Sequence, residues 1–227
     1  MGRHKYTSEE RDEIIRSFIR AAREIIDTEG IEHVSTRKLA KITGYNSAKL
    51  YFYFDNLDDL TTLATISYLE KYANMLAKDL PMIKNAKEFL IHSWGLFCRC
   101  AFDDPHIYYH IFFCRRHKPI NDLMEEYYRL YPHQLERLDD SIHKLFQNGS
   151  LEERDYMILD AMAKDGDIKR EHIKYINDFS NSYFKHLLEE RMAGNGGFLE
   201  ENKLLEEFMG GLKLLLELSS NSIKPSV

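Results

Sequence analysis

Residues 35–54 read Ser-Thr-Arg-Lys-Leu-Ala-Lys-Ile-Thr-Gly-Tyr-Asn-Ser-Ala-Lys-Leu-Tyr-Phe-Tyr-Phe, and this stretch decides the fold. It parses into a short helix, a glycine turn and a second short helix with an aromatic end. Ser35 is placed to cap the free amides of the first helix. Leu39 and Ile42 lie three apart and face inward, while Arg37, Lys38 and Lys41 stay on the wet face. Thr43-Gly44 ends the helix, because glycine takes positive φ without steric cost. Asn46 caps the next helix, whose buried side carries Leu50 and Phe54 four residues apart. This is a helix-turn-helix, the unit that puts one helix into the major groove of DNA.

The preceding segment completes a small domain. Ser8 is expected to cap a helix whose first turn holds Glu9, Glu10, Asp12 and Glu13, acids that suit a helix N-terminus. Ile14, Phe18, Ala21, Ala22, Ile25 and Ile26 form its apolar stripe, and Gly30 ends it. Three helices of this size share one core.

These residues resemble the TetR (tetracycline-repressor) family. The pattern is an N-terminal helix ending in glycine, then Ser/Thr-x-Arg-x-Leu-Ala, then Gly-x-x-x-x-x-Leu-Tyr-x-x-Phe, then a long helix. Here it runs from Ala21-Ala22 to Gly30, through Ser35-Thr36-Arg37-Lys38-Leu39-Ala40, and from Gly44 through Leu50-Tyr51 to Phe54 and Asp58-Asp59-Leu60. The match covers about residues 8–60. One departure is clear: where the family often has a lysine beside a DNA phosphate, this chain has Leu57.

The exposed side chains of the motif fall into two groups. Arg37 reaches a guanine edge, Asn46 reads adenine, Ala48 touches a thymine methyl, and Lys49 takes guanine or phosphate, with Ser47 beside them. Thr36, Tyr45, Tyr51 and Tyr53 are expected as phosphate contacts, since hydroxyls at a groove rim position a protein without reading sequence.

The chain has 227 residues, 44% of them hydrophobic, and a net charge of −6. The overall sign argues against DNA, but its distribution does not. Residues 1–54 hold 10 lysines and arginines against 8 acids, and the remainder holds 21 against 29. The basic footprint is therefore local, and the acidic remainder orients the protein on DNA. Three cysteines, Cys98, Cys100 and Cys114, give no disulfide framework. With no apolar signal core and no run of roughly 18 apolar residues, a cytoplasmic protein with no membrane partner is expected.

The fold expected is all-α. Residues 1–55 form the DNA-binding domain and 56–227 a larger helical domain for ligand sensing and dimerisation. Proline and glycine punctuation divides the second part into helices at 56–80, 85–103, 105–113, 120–147, 151–165, 168–193 and 200–220. Aromatic surface concentrates in its first half, at Trp94, Phe97, Tyr108, Tyr109, Phe112 and Phe113, and again at Tyr127, Tyr128 and Tyr131. As a group these read as an apolar ligand cavity with a few hydroxyls, suited to a small apolar or aromatic molecule. The resemblance implies a ligand domain in this region.

The last two helices are apolar on more than one side. Ile176, Tyr183 and Leu187 on one, with Phe208, Gly211, Leu212 and Leu215 on the other, are expected at a subunit interface. The resemblance implies that these helices pair with their symmetry mates as a four-helix bundle. Gly210-Gly211 inside a helix costs about 1 kcal/mol per glycine, which a close backbone approach offsets. His106, His110 and Cys114 recur at four-residue spacing, but Arg115, Arg116, His117 and Lys118 follow directly, and no metal, cofactor or catalytic site is expected. The residues thus read as a homodimeric repressor that holds a near-palindromic duplex and leaves it on binding a small molecule. The rival reading is a DNA-binding adaptor with a filled core, controlled by another protein.

Overall fold

The structure, a computed structural model, describes residues 6–134, 150–194 and 198–220. These form α-helices joined by turns and short 3-10 segments, with no strand among the described residues beyond an isolated antiparallel bridge between Ile168 and Ser220. The part of the helix expected over 120–147 that follows Gln134 lies outside the described residues, as do Gly149 and residues 195–197. Contacts divide the chain into two units. One takes described residues 6–69 and 114–134; the other takes 70–113, 150–194 and 198–220. This differs from a boundary at residue 55, because residues 56–69 continue in the first unit and 114–134 return to it.

The first unit is built on α1 (Ser8–Glu29), α2 (Thr36–Thr43), α3 (Ser47–Tyr53) and α4 (Leu57–Thr65). The cap of α1 is Thr7 and not Ser8. Thr7 Oγ1 accepts from the Glu10 amide at 3.1 Å, and the Glu10 carboxylate accepts from the Thr7 amide at 2.8 Å. That reciprocal box needs an acid three residues on, which Thr7 has and Ser8, followed by Arg11, lacks. The apolar stripe of α1 is buried as expected, with Ile15 and Ile19 added to it. Gly30 ends the helix at φ 103°.

Phe18 is fully buried at the centre of this unit, with Phe54 edge-on to it at 6.0 Å and Tyr45 at 5.7 Å. Leu39 and Leu50 complete the core. Ile42 does not join it and is 42% exposed. Three residues turn a helix through about 300°, and α2 ends at Thr43, so Ile42 is left on the rim. The helix α8 (Ile120–Leu130) packs against α4. Tyr127 is buried there and accepts a hydrogen bond from Arg23 at 3.2 Å. Arg129 and Asp12 pair through two hydrogen bonds of 2.7 and 3.1 Å.

The single helix expected from Asn56 to Leu80 is broken. Asn56 does cap α4, but a 3-10 turn at Ile66–Tyr68 separates it from α5 (Leu69–Asp79). Buried Thr61, Thr62 and Thr65 donate back to the carbonyls of Leu57, Asp58 and Thr62. Such bonds compete with the helical ladder and bend it. The boundary between the two units falls at the residue after this turn.

The second unit holds most of α5 with α6 (Ala86–Asp103), α7 (Pro105–Phe113), α9 (Leu151–Lys164), α10 (Ile173–Ala193) and α11 (Phe198–Leu218). Asn85 and Ser150 cap α6 and α9 through side-chain bonds to Glu88 and Glu153 amides. Trp94, Phe97, Phe102, Phe184 and Phe208 form the core, with Trp94 and Phe208 rings 4.7 Å apart. Phe184, four residues after Ser180 on the inner face of α10, touches Trp94, Phe97, Phe102 and Phe208.

Candidate nucleic-acid interface

The helix-turn-helix leaves one edge uncovered within its unit. Ser35 Oγ accepts from the Lys38 amide at 3.4 Å and starts α2. Gly44, at φ 73°, lets the chain reverse before Asn46. Asn46 Oδ1 accepts from the Lys49 amide at 2.9 Å and starts α3. Its oxygen thus takes part in the cap while the residue stays exposed. Arg37, Lys41, Asn46, Ser47 and Ala48 are exposed, and Thr36 is half-buried. Lys38 is turned aside, paired with Glu29 at 2.7 Å. Asn46, Ser47 and Ala48 therefore form the exposed start of α3, and Leu50 anchors its other side.

Lys49 is held by aromatic neighbours. Its ammonium stands 4.0 Å from the Tyr45 ring centroid and 4.8 Å from that of Tyr6, and it donates to the Tyr6 hydroxyl at 3.1 Å. The hydrogen bond to Tyr6, with the two further tyrosines nearby, raises its pKa above the usual lysine value. Tyr6 lies 43 residues earlier in the chain, so local spacing gave no sign of it. Tyr51, expected as a phosphate contact, is 55% exposed, beside Phe52 at 65%. Tyr53 is half-buried, and its hydroxyl is shielded from solvent without a hydrogen-bond partner. Leu57 opens α4, followed by Asp58 and Asp59 in the first turn, so acids and an apolar side chain occupy the place of a phosphate-binding lysine.

The aromatics read as a single ligand pocket do not belong to one unit. Tyr127, Tyr128 and Tyr131 lie in the first, where Tyr127 packs with the other two. Trp94, Phe97 and Tyr108 are buried in the second, with Tyr109, Phe112 and Phe113 half-buried. There the space among them is filled. The cavity between Tyr72, Ser93, Trp94, Phe97, Arg154 and Asp155 is about 20 Å³, room for about one water. Its wall is polar in an unexpected way. Trp94 Nε1 and Asn181 Nδ2 donate to Asp155 Oδ2 at 3.1 and 3.3 Å. Arg154 is buried with its guanidinium 5.2 Å from the Phe112 ring. Burial pushes the Asp155 carboxyl up to about 7, against the opposing pull of Arg154. Arg154 and Asp155 sit together in the first turns of α9.

On the other side of α10 and α11 runs a groove of about 470 Å³, lined by Phe179, Tyr183, His186, Gly211, Leu214 and Leu215 among others. Of the residues expected at an interface, Tyr183, Gly211 and Leu215 line it and remain partly accessible. Phe208 and Leu212 also line it, from buried positions, while Ile176 and Leu187 are buried and do not. Exposed Phe179 and Leu214, at 61% and 56%, line it as well. A Cβ added at Gly211 would lie 3.2 Å from the Tyr183 ring, while at Gly210 nothing stands within 4 Å. The close approach is therefore made at one glycine of the pair.

An uncovered recognition helix, capped by Asn46 and backed by a three-helix core, defines a DNA-binding protein of the helix-turn-helix class. Residues 18–62 match the family profile of bacterial regulatory proteins, tetR family. The whole fold is similar to that of FadR from Thermus thermophilus, a TetR-family transcriptional repressor solved with lauroyl-CoA. The TM-score is 0.60 at 15% identity, covering 94% of this chain and 98% of that one. It is similar also to RolR solved with resorcinol, with TM-score 0.59 at 13% identity over 97% and 100% of the two chains. A regulator from Mesorhizobium loti gives 0.54 at 13% identity over 95% and 100%. No curated protein matches the sequence. The family match lies on the helix-turn-helix segment, and the likeness to the solved regulators is one of fold across the chain.

Proposed function

We propose that the chain is a repressor that binds a near-palindromic duplex as a homodimer and leaves it when a small molecule occupies the second unit. The observation that carries the DNA reading is the uncovered edge from Thr36 to Tyr51, with Lys49 fixed in its tyrosine cage. Two such edges related by a twofold axis enter successive major grooves about 34 Å apart. The apolar groove along α10 and α11, with exposed Phe179 and Leu214, supports the pairing, since exposed apolar patches of this kind mark association surfaces.

The ligand reading rests on the buried Arg154–Asp155 pair beside Trp94 and Phe97. An apolar or aromatic molecule with one polar head suits that combination. A cavity of about 20 Å³ admits no such molecule, so the ligand selects a conformer in which the aromatic core has opened. Affinity for DNA then falls only as far as ligand prefers that conformer. The break at Ile66–Tyr68, next to the boundary between units, is where the chain takes up the change. The filled core equally favours the second reading, an adaptor whose DNA affinity is set by a protein partner.

Selection of bound duplexes from a random pool by the purified chain, followed by challenge with a panel of small aromatic and acyl compounds, tests both parts. Enrichment of an inverted repeat and its release by one compound class supports the repressor reading. Enrichment without release by any compound supports the adaptor, and no enrichment at all contradicts both.

A further inference from the structure

We propose a divalent transition-metal site in the first unit, formed by Asp55, Asp59 and His117, that ties the 114–119 link to the first turn of α4. These residues are the one trio of His, Cys, Asp or Glu side chains among the described residues whose ligand atoms all lie within 4.8 Å of one another. His106, His110 and Cys114, which share a regular spacing, are not such a group. Asp55 lies in the turn between α3 and α4, Asp59 in the first turn of α4, and His117 between α7 and α8.

A second observation points to a ligand. Asp59 is 1% exposed, and its Oδ2 has no hydrogen-bond partner. Its other oxygen receives only the Lys118 amide, at 3.5 Å. A buried carboxylate oxygen left without a partner carries the full cost of its lost hydration, and a cation shared with two exposed neighbours removes that cost. Of the two basic side chains nearby, Arg116 acts on Asp59 through its charge without a hydrogen bond to it, and Lys118 does not fill the place either. Lys118 Nζ stands 3.7 Å from Asp55 and 3.6 Å from Glu126, too far for good hydrogen bonds. Asp55, Asp58, Asp59 and Glu126 outnumber Arg116 and Lys118 in this neighbourhood, and Lys118 retains Glu126 when a metal takes Asp55.

The donor set names the class. One imidazole and two carboxylates suit Zn²⁺ and its first-row neighbours, with water completing the shell. Mg²⁺ and Ca²⁺ prefer oxygen alone. Bonds of about 2.0–2.2 Å to zinc require ligand atoms roughly 3–4 Å apart, a closure that the exposed side chains of Asp55 and His117 make by rotamer change. The site is separate from the aromatic core and does not rest on the repressor reading.

The test is zinc titration of the full chain, by calorimetry and by thermal melting, with ZnCl₂ and MgCl₂ as probes. One zinc per chain is expected, raising the melting temperature by a few degrees. His117→Ala and Asp55→Asn should each weaken zinc by more than about tenfold, and His110→Ala should not. Both substituted positions are exposed, so folding is preserved even if Asp59→Asn fails to fold. Absence of zinc binding, zinc binding unchanged in both His117→Ala and Asp55→Asn, or displacement of zinc by equimolar Mg²⁺ would each overturn the assignment.

Discussion

Lys49 illustrates what single residues contribute. Its ammonium lies against two tyrosine rings, so its side chain is ordered before DNA arrives. Removing it should weaken duplex binding by about 1–3 kcal/mol, the usual value of a well-placed contact, with the melting temperature unchanged. Fluorescence anisotropy on the selected duplex measures this, and equal affinity would remove Lys49 from the interface. Gly44 acts through the backbone alone. At φ 73° with nothing within 4 Å of an added Cβ, Gly44→Ala should cost about 1–2 kcal/mol from conformation only, and Gly44→Asn less. Urea unfolding of the two variants checks the order. Asp155 sets a pH dependence. Its carboxyl, raised from 3.8 to about 7 by burial, keeps a proton in the folded chain that the unfolded chain releases. Stability should therefore fall as pH rises from about 4 to about 7 and level off above. Asp155→Asn should lack that slope. Parallel pH profiles for the two proteins would refute the assignment.

At the scale of elements, the sequence was most informative where one residue does one local job. Ser35, Gly44, Asn46, Asn56 and Asn85 each occupy the capping or turning position that their chemistry requires. Thr7 displaced Ser8 because a cap is a pair, and only Thr7 has a glutamate three residues on. The long helix from Asn56 was misread because apolar spacing runs through Ile66–Tyr68, while the bend comes from three threonine hydroxyls turned back on carbonyls. The last two helices were found, but not which of their faces stays open. Apolar spacing is the same for Phe208, which is buried, and Leu214, which is 56% exposed. Phe179→Asp and Leu214→Glu should convert a dimer to a monomer with helix content unchanged. Sedimentation at micromolar concentration, with circular dichroism alongside, reads both; a dimer surviving both changes would move the interface elsewhere.

At the scale of the whole molecule, the division into units was not legible from punctuation. Residues 114–134 return to the first unit after most of α5 and all of α6 and α7 in the second, and nothing local marks that return. The same blindness hid the Tyr6–Lys49 pair and the Asp55–Asp59–His117 trio, whose members lie 43 and about 60 residues apart. It also merged Tyr127, Tyr128 and Tyr131 with the aromatic core of the other unit. What survives at this scale is the helix-turn-helix edge; its use in twos is our proposal. The most direct measurement is the mass of the complex formed with a selected duplex and with its isolated half. Two chains should bind the full duplex, with the half-duplex weaker by orders of magnitude. One chain per duplex, with full and half sites held equally, would contradict the twofold reading of the Asn46–Tyr51 edge.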